Sequence, residues 1–120
     1  MPDAKTTGTR GEQLAAEHLL QQGYTILARN WHCPAGELDI IAEHQEYIVF
    51  VEVKTRTGAA PEYAFMNITQ HKRSRIIAAA HAYLAESGLE DRFWRIDAIG
   101  ITLGQQGKQI IQHVEDVLDW

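Results

Sequence analysis

The stretch from Gly36 to Arg56 constrains this chain more than any other, because it alternates like a β-hairpin and yet carries charge where a strand should be dry. Val49, Val51 and Val53 give its second half one apolar face. The other face begins with Ile48 and Phe50 and then switches to Glu52 and Lys54. A hairpin turned about Gln45 and Glu46 sets Ile41 against Phe50, and Leu38, Ile40 and Ala42 against the valines. All the apolar pairs match in this register, and it places Asp39 opposite Glu52.

Directly opposed side chains share a face with Cβ atoms ~4.5–5.5 Å apart. Two carboxylates at that spacing on a mostly buried strand repel unless something positive sits between them. A divalent cation answers that need. Mg²⁺ takes one or two carboxylates and completes its shell with waters and phosphates, which is what Asp39 and Glu52 offer. Lys54 lies ~6.5–7 Å further along the same face, within reach of a phosphate or a metal-bound water.

The 120 residues suit one domain, 10–120, behind a loose polar terminus, 1–9, and 45% hydrophobic content is enough for a core. No apolar run approaches the ~20 residues that span a bilayer, and the start is no signal peptide, so the expectation is a cytoplasmic protein with no membrane partner. A single cysteine, Cys33, excludes an intrachain disulfide and reads as a small apolar filler. The net charge of −5 weighs against nucleic acid as a partner, but Glu115, Asp116 and Asp119 crowd the C-terminus while Lys72, Arg73 and Arg75 cluster beside His71.

Leu14, Ala15, His18 and Leu19 recur at helical spacing, which predicts a helix from Arg10 to Gln22 stopped by Gly23. A strand from Tyr24 to Trp31 follows, then Pro34 to Gly36 as a break, then the hairpin. Residues 57–66, with Pro61, Tyr63 and Phe65, read as an irregular segment flanking a site. A second helix, capped by Asn67 or Thr69 and ending at Gly88, buries Ile68, Ile76, Ala79, Ala80, Tyr83 and Leu84. Lys72, Arg73 and Arg75 fall in its early turns, where they oppose the helix dipole, a placement that favours a binding role. Strands over 93–103 and 108–114 close the chain around a Gly104–Gly107 turn. The order α-β-β-β-α-β-β predicts an α/β fold with a mixed central sheet of about five strands, the second helix serving as a parallel crossover.

Gly11-Glu12, Gly23-Tyr24, Arg29-Asn30, Gly36-Glu37-Leu38-Asp39, Phe50-Val51-Glu52-Val53-Lys54 with Arg56, Lys72, and Arg95-Ile96-Asp97 together match a known pattern. The chain resembles the YraN-type family of small bacterial proteins, whose restriction-endonuclease-like PD-(D/E)xK core is similar to Holliday-junction resolvases. The resemblance implies an α/β nuclease core and a metal-dependent phosphodiesterase site built from Asp39, Glu52 and Lys54, with Glu12 as an outer carboxylate. Two places depart from the family pattern: Pro61 to Phe65 stands where a glycine-rich turn is usual, and Ile96 where phenylalanine is usual.

The expected function is a Mg²⁺- or Mn²⁺-dependent endonuclease acting on structured or branched DNA. Asp39, Glu52 and the Val53 carbonyl would hold the ion, and Lys54 would position the nucleophile and stabilise charge on the phosphorane. Arg56, Lys72, Arg73 and Arg75 are the candidate contacts to nucleic acid, and a junction-cleaving enzyme would work as a homodimer so that two sites cut symmetrically. The ordinary alternatives are a salt-bridged strand end for Asp39, Glu52 and Lys54, a dipole-favoured first-turn acid for Glu12, a salt-bridge partner for Glu37, and a solvated helix face for the basic cluster. The rival functions are a non-catalytic DNA-binding module on the same fold and an interaction or assembly protein using the sheet edge or the acidic tail. The six histidines show no metal-ligand spacing and read as core or surface residues, while Trp31, Trp94 and Trp120 read as core or interface aromatics.

Overall fold

Gly23 adopts φ 90°, a conformation open mainly to glycine, and turns the chain out of helix α1 (Ala4–Gln21) into strand β1 (Thr25–Cys33). In the computed structural model, which describes residues 4–58, 69–104 and 107–118, three antiparallel strands then run in succession: β1, β2 (Gly36–His44) and β3 (Tyr47–Thr57). Helix α2 (Gln70–Glu86) crosses over to β4 (Phe93–Leu103), which lies parallel to β3, and β5 (Gln109–Val114) returns antiparallel along β4. The result is one five-stranded mixed sheet in the order β1-β2-β3-β4-β5.

Helix α1 begins at Ala4, ahead of the Arg10 start that the apolar spacing predicts, so residues 4–9 are helical. Threonines lower helix propensity only mildly and Gly8 costs about 1 kcal/mol, so neither stops a helix nucleated downstream. Thr69 caps α2 by accepting the Lys72 N–H on its hydroxyl at 3.2 Å. Ile68 and the segment 59–68, with Pro61, Tyr63 and Phe65, lie outside the described residues, as does Trp120.

The sheet separates two apolar clusters. On one face Ala15, Ala16 and Leu19 of α1 pack on Ile40, Ala42, Val49, Val51, Ile99 and Ile101. On the other, Ile76, Ala79, Ala80 and Leu84 of α2 pack on Leu38, Ile41, Ile48, Phe50 and Ile96, with Trp31, Trp94, Tyr83 and Cys33 at its margin. Each helix buries one stripe and each central strand alternates between them.

The expected hairpin register holds from His44 opposite Tyr47 through Ile41 opposite Phe50 to Ile40 opposite Val51, and there the β2–β3 ladder stops. On the other side of β2, Arg29 pairs with Ile40 and Trp31 with Leu38, which brackets Asn30 against Asp39. Asn30 has φ 52°, in the left-handed region that asparagine tolerates better than most residues. The alternation of faces breaks at this step. Ile40 packs under α1, while Leu38, expected beside the valines, packs on the α2 side with Ile41 and Phe50. Period two assumes an unbroken pleat, and a left-handed residue in the neighbouring strand twists this one out of it.

Candidate functional site

Asp39 sits where the ladder has opened, and its Oδ2 takes the place of a strand partner by accepting the Val53 N–H at 2.8 Å. Glu52, the neighbour of Val53, is 7% exposed, and its charge acts directly on that of Asp39. Burial, reinforced by the Glu52 charge, pushes the Asp39 carboxyl up to about 7. The Val53 amide opposes the rise and Glu12 adds to it.

Two ammonium groups attend the pair. Lys72 Nζ lies 2.5 Å from Glu52 Oε1, brought there by the first turn of α2. Burial works against its charge, but the hydrogen bond and attraction to Glu52 outweigh that and hold Lys72 above the ordinary lysine value. Lys54, two residues beyond Glu52 on β3, is lowered by burial and by the charge of Lys72, with Glu52 pulling the other way.

Glu37, Asp39, Glu52 and Val53 form one side of a cleft of about 400 Å³, and His71, Lys72 and Arg75 form the other. Two glycines set how closely the helices approach the sheet near it. A Cβ on Gly11 would lie 1.8 Å from Thr55 Oγ1, so only glycine lets α1 seat on β3 here, and one on Gly36 would come within 3.3 Å of the Arg75 carbonyl of α2. Gly11 thereby sets Glu12, whose charge acts on Asp39 and whose Oε1 is buried with no hydrogen-bond partner among the described residues.

The remaining basic residues divide. Arg75 lines the cleft and donates from Nε to the Ala35 carbonyl at 3.5 Å. Arg56 donates to Thr102 Oγ1 of β4 at 3.1 Å. Arg73 points elsewhere, donating to the Leu118 carbonyl at 2.7 Å and tying down the C-terminal segment. Glu37 lies 3.2 Å from His32 Nδ1.

Asp39 and Glu52 are the side chains that could hold a cation, and their hard oxygens suit Mg²⁺ or Mn²⁺. Among the described residues no three His, Cys, Asp or Glu side chains stand ready as a metal-ligating group. Water, a main-chain carbonyl or a phosphate oxygen would therefore have to complete the shell.

The sequence profile of the uncharacterised protein family UPF0102 matches residues 11–101, a span that holds every residue named in the cleft. The chain belongs to that family. A UPF0102 protein of Roseiflexus castenholzii is 45% identical over 89% of this chain and 88% of its own length. Another from Pelobacter propionicus is 40% identical over 98% and 86%, and one from Herpetosiphon aurantiacus is 41% identical over 96% and 95%. Among solved structures, Pyrococcus furiosus SfsA in complex with Ca²⁺ aligns over 94% of this chain and 64% of that one, at TM-score 0.40 and 18% identity, too loose a likeness to carry fold or function across.

This UPF0102 chain also holds a polar knot that its sequence conceals. Asp97 of β4 is fully buried. It accepts from Arg95 Nε at 3.0 Å and from the Asp116 N–H at 3.0 Å, and His113 Nε2 lies 2.8 Å away. Burial alone would raise its carboxyl, but His113, Arg95 and the Asp116 amide together hold it below the usual carboxylate range. Arg95 donates onward to the Tyr24 hydroxyl at 2.8 Å, and His113 Nδ1 lies 3.4 Å from His18 Nε2. His44 stacks on Tyr24 with centroids 4.0 Å apart. The three histidines come from α1, β2 and β5, so no spacing in the sequence could reveal that they line one cavity.

No helix among the described residues is long and apolar enough to cross a membrane.

Proposed function

We propose that this chain is a metal-dependent endonuclease that hydrolyses nucleic-acid phosphodiester bonds, of the restriction-endonuclease-like PD-(D/E)xK type that its YraN-type resemblance implies. The observation that carries the reading is the convergence of Asp39 and Glu52 at the open end of a ladder, with Lys54 and Lys72 beside them. Two acids so placed, one of them pushed up to about 7, are what a protein builds where a cation is to enter.

A bound Mg²⁺ or Mn²⁺ would supply an activated water and neutralise charge on the reacting phosphate. Asp39 and Glu52 orient the site by being fixed to β2 and β3, the first through the Val53 amide. Lys54 holds its ammonium toward the forming phosphorane, and Lys72, Arg75 and His71 wall the groove in which a sugar-phosphate backbone would lie. Glu12 is the outer carboxylate on the α1 side. Branched DNA, a homodimer and a cytoplasmic address belong to the same reading.

The test is cleavage of junction, flap and duplex DNA with Mg²⁺ or Mn²⁺ by the wild type beside an identically purified Glu52→Ala variant. The expectation is a loss of about 10²–10³-fold in the variant, the scale on which removing an electrostatic catalytic group acts. Equal activity in the two preparations sinks the assignment. A second reading, a non-catalytic DNA-binding module on the same fold, draws on the Lys72 ion pair, which satisfies Glu52 without a metal. It predicts DNA binding with no cleavage in either preparation.

A further inference from the structure

We propose that Lys72 is a resident counter-cation: it occupies Glu52 while no metal ion is present, yields that carboxylate when one binds, and is thereby released to the phosphate of the substrate. This rests on the phosphodiesterase reading of the cleft and adds the device that keeps the site intact before it is loaded. A carboxylate as buried as Glu52, beside Asp39, needs a positive charge at all times, because removing one partner of a buried pair leaves an uncompensated charge. Lys72 provides that charge at 2.5 Å.

It is nevertheless built to leave. Its side chain is 49% exposed, against 8% for that of Glu52. It springs from the first turn of α2, where the helix dipole disfavours a cation, and the Lys54 ammonium is near enough to act on it. A divalent ion arriving at Asp39 and Glu52 adds two further charges at that point. Lys72, on a flexible four-carbon stem at the rim, can retreat more easily than Lys54, which is borne on a strand paired to β4 along its whole length. Having retreated, its ammonium remains on the wall of the cleft beside Arg75 and His71. Metal affinity in the wild type is thus the intrinsic affinity of the acid pair reduced by the cost of evicting a lysine.

The experiment is a calorimetric Mn²⁺ titration of the wild type, Lys72→Met and Lys72→Arg without nucleic acid, each checked for folding by circular dichroism. Lys72→Met should bind Mn²⁺ about tenfold or more tightly, the factor that corresponds to removing a ~1.4 kcal/mol competitor, and Lys72→Arg should stay near the wild type. In the wild type itself, Mg²⁺ should speed reductive methylation of the Lys72 amine, a readout that survives if the methionine variant fails to fold. Mn²⁺ binding with unchanged or weaker affinity in folded Lys72→Met, or slower methylation of Lys72, overturns the proposal alone. No Mn²⁺ binding to any form overturns it together with the phosphodiesterase reading. Exchange without DNA cleavage upholds the displacement of Lys72 by the metal and sinks the hydrolase reading.

Discussion

Asp39 and Asp97 are two acids of one sheet whose surroundings push them in opposite directions, and each predicts its own response to pH. Asp39 is raised from 3.8 to about 7, so the folded protein holds its proton more tightly than the unfolded chain does. Its contribution to stability is complete below 3.8 and is lost as pH climbs toward 7. Asparagine mimics the protonated acid, so Asp39→Asn should melt above the wild type at neutral pH in metal-free buffer, and the two should converge near pH 4. A parallel pH dependence in both proteins would refute the upward shift of Asp39.

A metal ion must expel that same proton. Mn²⁺ affinity should therefore rise about tenfold per pH unit up to about 7 and flatten above it, as titration at several pH values would show. Asp97 behaves in the reverse sense. It is depressed below 3.8, so its contribution is complete above that value and is lost as pH falls toward the folded-state value. Asp97→Asn leaves Arg95 and His113 facing a buried neutral group and should cost ~3–5 kcal/mol in denaturant unfolding.

Among the elements, helix α1 meets β3 at one point that no larger residue permits. Gly11→Ala brings a methyl to 1.8 Å from Thr55 Oγ1, and the resulting overpacking should cost ~1–3 kcal/mol. Adding Thr55→Ala should restore only part of this, because the Thr55 Cβ would still lie 2.8 Å away. Thermal melts of the single and double variants measure both effects. The elements themselves were readable in the sequence: the limits of β4, the Thr69 cap and the hairpin register follow from alternation, capping chemistry and a two-residue turn. The fate of Leu38 was not. Its change of face comes from the left-handed Asn30 in the adjacent strand, and no pattern within β2 encodes a neighbour's twist. The acid pair was legible because both members lie on one hairpin. The Lys72 contact and the Asp97 knot join residues far apart in the chain, which only the closed fold brings together.

For the molecule as a whole, charge limits how nucleic acid could be held. The net charge is −5, and the basic groups gathered at the cleft come to little more than Lys54, Lys72 and Arg75. About three phosphate contacts give a plot of log affinity against log salt with a slope near −2.7, far shallower than that of an extended basic surface. A slope beyond about −6 in filter-binding or anisotropy titrations would mean that a different surface carries the polymer.

The seam between β2 and β3 has one more consequence. Past Ile40 and Val51 the Val53 main-chain proton is tied to a side chain that gains and loses charge rather than to a neighbouring strand. That nucleus is accordingly a built-in indicator of the cavity. In a ¹⁵N-resolved NMR spectrum its resonance should drift through neutral pH as Asp39 ionises and should jump when Mg²⁺ arrives, reporting occupancy without dye or substrate.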